Sequence, residues 1–229
     1  MFTALSPPAA RFLAHQPWYA PLPAALQARV QDGVRTQSGD KGSVLLHAGD
    51  PVLGWYAVLS GLAKLQSQSP DGRLSVFLGV PAGEWFGEGS VLKTEPRRYD
   101  VVALRDTRLA LMDSNTFFWL FENSVGFNRF LVRQLNERLG QFIGALEIDR
   151  TLDATGRVAR SIASLFNPIL YPDPTRHLEI TQEEIGALSG LSRQNANGCL
   201  KRLEKEGLLR LEYGGVTIVD LEKLRLYGE

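Results

Sequence analysis

The stretch ITQEEIGALSGLSRQNANGCLKRLEKEGLL, Ile180 to Leu209, decides how this chain is to be read. Thr181-Gln182-Glu183-Glu184 has the form of a capping box. The threonine hydroxyl can accept from the Glu184 amide, and the Glu184 carboxylate can reach back to the amide of Thr181. Ile185 and Leu188 mark the inner face of a short helix. Ser189-Gly190-Leu191 then makes a turn in which Gly190 can take a left-handed conformation. Ser192 caps a second helix that runs to about Glu206, where Gly207 stops it. At about 100° per residue, Ala196, Cys199, Leu200 and Leu203 share one side of this helix, and Arg193, Gln194, Asn197 and Lys201 the other. The first set is core. In the second, Arg suits guanine, Gln and Asn suit adenine, and Lys suits a phosphate. An ordinary solvated helix can show the same polar face.

The residues after Gly207 favour the nucleic-acid reading. Leu208–Glu212, Tyr213-Gly214-Gly215 and Val216–Val219 read as a hairpin. A capped helix, a glycine turn, a polar-faced helix, a glycine stop and a β-wing form a winged helix-turn-helix, and that order points to sequence-specific binding of double-stranded DNA.

Upstream, Val158, Ile162, Leu165 and Phe166 have helical spacing, and Pro168 to Pro174 ends that helix. Before it, Val132, Leu135, Leu139, Phe142 and Leu146 follow at intervals of three and four, the seam of a coiled coil. Dimerisation through this seam is the preferred reading; a helix packed on its own barrel is the alternative. Phe130, Leu131 and Ile143 lie off the seam and are expected to pack inward. Toward the N-terminus, helical signals around Leu22–Val30 give way from Lys41 to short apolar runs. These are Gly42–Ala48, Trp55–Leu59, Leu62–Ser67, Leu74–Val80, Val101–Leu104 and Arg108–Met112, separated by turns such as Pro70-Asp71-Gly72. The pattern suggests an antiparallel barrel or sandwich. Three segments result: a sensing domain at 1–125, a dimerisation helix at 126–152 and a DNA-binding domain at 153–229.

The composition is compatible with this reading and narrows it. With 25 basic and 25 acidic side chains among 229 residues, the formal charge is +0, so a DNA-binding face must come from local concentration of Lys and Arg. Cys199 is the only cysteine, which excludes an intrachain disulfide and a Cys-ligated zinc or iron–sulfur site. Its place on the core side of the second helix argues against a redox switch. His15, His47 and His177 are dispersed, which argues against haem. No signal peptide or membrane span is visible, and a cytoplasmic protein is expected. No P-loop, zinc spacing or nucleophile elbow is present, so no enzyme is expected.

The chain resembles the Crp/Fnr family, that of the cyclic-AMP receptor protein and the fumarate–nitrate reduction regulator. The resemblance spans about Phe12 to Tyr227. It rests on the Ile180–Leu209 stretch, WFGEGSVL at Trp85–Leu92, PRRYDVVAL at Pro96–Leu104 and DATGRVAR at Asp153–Arg160. It implies an α+β protein with a cyclic-nucleotide-binding-like β-roll, a long dimerisation helix and a C-terminal winged helix. It also implies a palindromic operator and RNA polymerase as a partner. Arg193 matches the family arginine that contacts guanine, and Thr181 and Gln182 match positions near the phosphate backbone. Gln194 and Gly198 depart from the family pattern. The DNA-binding set is therefore Thr181, Gln182, Ser192, Arg193, Gln194, Asn197 and Lys201.

In the sensor, Gly87, Glu88, Gly89 and Ser90 match the family turn that faces an anion, with Glu88 where a ribose hydroxyl is held. Arg97 or Arg98 holds the phosphate. The family's cyclic-AMP binders follow this arginine with Ser or Thr, whereas Tyr99 and Asp100 follow Arg98. A carboxylate there would repel a phosphate. Phe142 and Ile143 stand where the dimer helix would offer hydroxyls to adenine, and neither side chain can hydrogen-bond. The reading is against cyclic AMP. It leaves open an altered small-molecule pocket, to which Tyr99 and Phe142 would contribute, or a retained turn whose arginines make surface ion pairs. No cofactor is assigned. The alternative function is a small-molecule or nucleotide sensor whose winged helix serves protein contacts.

Overall fold

The computed structural model describes residues 3–170 and 176–228. The chain divides into two compact units, Met1–Asn136 and Glu137–Glu229.

The first unit opens with α1 (Pro7–Ala14) and α2 (Ala24–Asp32). The strands are β1 (Val34–Gly39), β2 (Val44–Leu46), β3 (Gly54–Ser60), β4 (Leu62–Gln68), β5 (Leu74–Pro81) and β6 (Trp85–Phe86). Next come α3 (Glu88–Lys93), β7 (Asp100–Ala103), β8 (Thr107–Asp113), α4 (Ser114–Asn123) and the long α5 (Val125–Thr151), which crosses the boundary between the units. Two antiparallel four-stranded sheets form, ordered β1-β8-β3-β6 and β2-β7-β4-β5. This is the β-roll implied by the resemblance. Strand β1 lies before the region read as strand-rich, because VRTQSG carries one large apolar residue and its inward Thr36 is polar.

Side-chain alternation explains why β3 and β6 read as unbroken apolar runs. Trp55, Ala57 and Trp85 face a cluster with Trp18, Phe117 and Phe127, while Tyr56, Val58 and Phe86 face a second cluster with Leu65, Val80 and Leu109. Successive residues point to opposite faces, and both faces are covered. Trp55 stacks on Trp85 with centroids 4.2 Å apart, and Trp85 Nε1 donates to the buried Gln16 Oε1 at 3.0 Å.

Helix α5 contributes Phe127 and Leu131 to the aromatic cluster, with Phe130 and Leu135 packed at its edge. Leu135, expected on the free seam, is therefore half-committed to the first unit. Ile143 corrects the sequence reading in the other direction. It was expected to pack inward and is 57 % exposed. The helix leaves Val125, Val132, Leu139 and Leu146 exposed at 59–66 %, at every seventh residue, with Phe142 and Ile143 beside them.

The second unit holds the C-terminal part of α5, then α6 (Ala154–Ser164), β9 (His177–Leu178), α7 (Gln182–Leu188) and α8 (Arg193–Lys205). It ends with β10 (Leu209–Glu212), β11 (Gly215–Ile218) and α9 (Leu221–Arg225). Asp153 caps α6 by accepting from the Gly156 amide at 2.8 Å, and Val158 and Ile162 are buried, as their spacing requires. The expected break at Pro168–Pro174 falls partly outside the described residues. The three-stranded sheet is ordered β10-β11-β9, so the hairpin gains a third strand that its sequence did not announce. No helix among the described residues is long and apolar enough to cross a membrane.

Candidate functional site

The capping box forms as its residue types demand. Thr181 Oγ1 accepts from the Glu184 amide at 3.3 Å, and Glu184 Oε2 accepts from the Thr181 amide at 2.7 Å. Gly190 takes φ 66° in the turn, and Ser192 Oγ accepts from the Asn195 amide at 3.3 Å to start α8. A residue the sequence reading passed over sets the packing of α7 on α8. A Cβ on Gly186 would lie 2.8 Å from the Leu191 carbonyl oxygen and 3.4 Å from Ala196 Cβ. Only glycine fits there.

These constraints aim α8. Ala196, Cys199, Leu200 and Leu203 are buried, while Arg193, Gln194, Gly198 and Lys201 are exposed and Asn197 is half-buried. The side chains of Arg193, Gln194 and Lys201 make no hydrogen bond or ion pair among the described residues. Thr181 and Gln182 are half-buried at the start of α7, with the Thr181 hydroxyl occupied by the cap. The wing pairs Leu209 with Ile218 and Glu212 with Gly215, presenting a fully exposed Tyr213 at its tip. The Leu211 amide donates to Glu204 Oε1 at 2.8 Å and ties the wing to the end of α8.

The first unit holds a second candidate site. Gly87, at φ 85°, turns the chain into α3, and Glu88 at its start is buried. Of the two arginines left open by the sequence, Arg97 points inward and Arg98 outward. Arg97 is 3 % exposed, and its guanidinium lies 5.0 Å from the centre of the Tyr56 ring. Its Nε and Nη1 have no hydrogen-bond partner. Nη1 also packs against Gly87, 3.4 Å from where a Cβ would stand. Two backbone bonds fix the residue: the Arg97 amide donates to the Asp50 carbonyl at 3.1 Å, and the Gly49 amide to the Arg97 carbonyl at 2.7 Å. Arg98 is exposed and pairs with Glu95 at 2.8 Å. Burial pushes the Tyr56 phenol above its ordinary value, with Arg97 pulling the other way, so the phenol stays protonated at neutral pH.

The Asp100 carboxylate is tied into the roll, its Oδ1 accepting from the Ala48 amide at 2.8 Å. Tyr99 is half-buried against the inner cluster of the roll. Gly89 and Ser90 are half-exposed in the first turn of α3, and a Cβ on Gly89 would meet nothing within 4 Å. Phe142 is part of the exposed stripe of α5, in the second unit.

Comparison with known proteins agrees with both halves. The cyclic nucleotide-binding domain family matches residues 37–124, and the Crp-like helix-turn-helix domain family matches residues 156–227. The chain belongs to the Crp/Fnr family of DNA-binding transcription regulators. The CRP-like cAMP-activated global transcriptional regulator of Mycobacterium tuberculosis is 28 % identical over 188 residues, covering 80 % of this chain and 84 % of that protein. Among solved structures, FixK2 of Bradyrhizobium japonicum has the same fold with a TM-score of 0.69 at 19 % identity, covering 84 % of this chain and 96 % of that one. The c-di-GMP responsive regulator CLP of Xanthomonas campestris aligns with a TM-score of 0.62 at 24 % identity, covering 86 % and 99 %.

Within this Crp/Fnr frame, the capped helices α7 and α8 and the glycine turn into α3 lie where the sequence placed them. The sequence reading missed Tyr56, which packs against the buried arginine, and Gly186, which lets the two helices of the DNA element meet. Tyr56 carries no local signal, since it lies some 40 residues upstream of Arg97 in an apolar strand. Strand alternation from Trp55 was the one available clue.

Proposed function

We propose that this Crp/Fnr regulator works as a two-fold dimer that reads a palindromic operator and is tuned by a small anionic effector. The observation that carries the effector reading is Arg97. A guanidinium held 3 % exposed, with two N–H-bearing nitrogens unpartnered, is an anion site that the fold has desolvated in advance. Glu88, Gly89 and Ser90 complete the turn on which a ligand would rest, and Tyr99 supports the roll beside it. The anion seat belongs to Arg97, and Arg98 has a surface role.

Cyclic AMP is not the effector we assign. With Arg97 in the seat, the following residue is Arg98, which turns out toward Glu95 and supplies no hydroxyl. The Mycobacterium relative is named as cAMP-activated and the Xanthomonas protein as c-di-GMP responsive. The family fold alone therefore does not choose the nucleotide.

Dimerisation is supported by the exposed heptad stripe from Val125 to Leu146, which needs a partner surface. In the DNA element, Arg193 is assigned to a guanine, Gln194 and Asn197 to neighbouring base edges, and Lys201, Ser192, Thr181 and Gln182 to the backbone. RNA polymerase is the further partner this role requires. Titration calorimetry of the purified chain with inorganic phosphate, cyclic AMP, cyclic GMP and cyclic di-GMP tests the effector reading. Binding of an anion that is lost in Arg97→Met and kept in Arg98→Ala is the expected result. An effector bound equally well by Arg97→Met would overturn it. Retention on DNA that falls steeply with salt separates DNA binding from a winged helix used for protein contacts.

A further inference from the structure

Helix α8 carries a glycine that the free protein does not need. Gly198 lies in the interior of Arg193–Lys205, is exposed, and would meet nothing within 4 Å if it carried a Cβ. Glycine in a helix interior is less stable than alanine, because it loses more backbone freedom on folding. The other glycines of this element have a structural reason to be there. Gly186 sits under the Leu191 carbonyl and Ala196, and Gly190 and Gly207 take φ 66° and 75°. Gly198 is helical and uncrowded, so neither reason applies to it.

Its position supplies a reason. On the helical wheel, Gly198 lies about 40° from Gln194 and about 60° from Lys201, at one edge of the exposed arc whose other edge is Arg193, about 140° away. We infer that Gly198 is itself a DNA-contact residue: its bare Cα lets α8 lie closer to the floor of the major groove than any side chain would allow. This rests on the reading of α8 as the DNA-reading helix. The contact is one of shape. A Cα–H against base edges brings no charge and no strong hydrogen bond, so it adds affinity without neutralising a phosphate. Closer approach also shortens the reach required of Gln194, which lies on the same face.

The claim separates two quantities that usually move together. In the full-length chain, Gly198→Ala relieves the helix of its glycine and should raise the melting temperature by about 2–4 °C. The same substitution should weaken binding to the operator selected by the wild type by roughly tenfold. The dependence of affinity on salt should keep its slope, since no phosphate contact is lost. Gly198→Ser should weaken binding at least as much. Wild-type affinity in Gly198→Ala would overturn the inference. So would a lower melting temperature, which would show that the free fold needs the glycine, or a slope reduced by about one unit. A wild type with no salt-dependent retention on DNA would overturn the reading of α8 itself. Intact wild-type binding with an unaffected Gly198→Ala would overturn only the role of Gly198.

Discussion

The Arg193 side chain stands on an exposed helix face with no hydrogen bond or ion pair among the described residues, whereas Arg97 is buried beneath the β-roll surface against Tyr56. In the function proposed above, the two arginines would recognise anionic or acceptor-rich partners by opposite routes. Arg193 is fully hydrated before DNA arrives, so its bonds to a guanine replace bonds to water and are gained only in the complex. The folded protein has already desolvated Arg97, so an arriving anion finds a fixed donor and gives up little on the protein side. An exposed reading face allows scanning of many sequences, while a buried seat favours one small ligand and couples its occupancy to the fold.

The largest expected effect is on the reading face. Leu139→Glu with Leu146→Glu places charges on the exposed stripe of α5 and should give a monomer. Loss of the second half-site should then weaken operator binding by about 10²–10⁴-fold, with anion binding at Arg97 retained. Sedimentation and operator titration measure the two halves of that claim, and a wild type that sediments as a monomer at micromolar concentration would refute the first. Next in size is Gly186→Ala. A methyl 2.8 Å from the Leu191 carbonyl oxygen forces α7 and α8 apart. It should cost about 1–3 kcal/mol of stability in the DNA-binding unit and leave the aromatic core of the first unit unchanged, as denaturation followed separately by tryptophan fluorescence and by far-ultraviolet dichroism would show. The smallest effects sharpen the description of the buried seat. Arg97→Met removes a buried charge and should leave stability unchanged or raise it by about 1 kcal/mol. Arg98→Ala breaks only an exposed pair and should change stability by less than about 0.5 kcal/mol. A severe loss of stability in Arg97→Met would mean that the arginine is there for structure.

The same contrast explains what could be read in the sequence. The DNA element is built from local rules. Thr181 with Glu184, Ser192 with Asn195, and Gly190 and Gly207 each act within a few residues, so their chemistry is visible in one line of text. The buried seat is assembled from Gly49–Asp50, Tyr56, Gly87 and Arg97, which only the folded roll brings together. Which of two adjacent arginines turns inward depends on backbone bonds to Gly49 and Asp50, and no property of the dipeptide itself reveals them. The partner of Asp100 is equally distant in sequence, since the amide it accepts from lies 52 residues away. On α5, Leu135 and Ile143 exchanged roles because helical spacing marks an apolar face without saying which neighbour covers it. Strand β1 escaped because Thr36 and Gln37 hide its alternation. The neutral net charge is no bar to a locally cationic face: Arg193, Lys201, Lys205 and Arg210 are exposed on α8 and the first strand of the wing, beside Glu204, Glu206 and Glu212, and Arg202 is paired with Glu206.

A binding-site selection on wild type, Arg193→Ala and Lys201→Ala asks whether Arg193 reads a base from an exposed helix of a symmetric dimer. The wild type should select a palindrome with one guanine fixed in each half-site. Arg193→Ala should lose preference at that symmetric pair and about 1–3 kcal/mol per half-site. Lys201→Ala should keep the same palindrome, bind all sequences more weakly and flatten the salt slope by about one unit for each lost phosphate contact. An Arg193→Ala protein that still selects the wild-type palindrome with unchanged affinity would contradict the account.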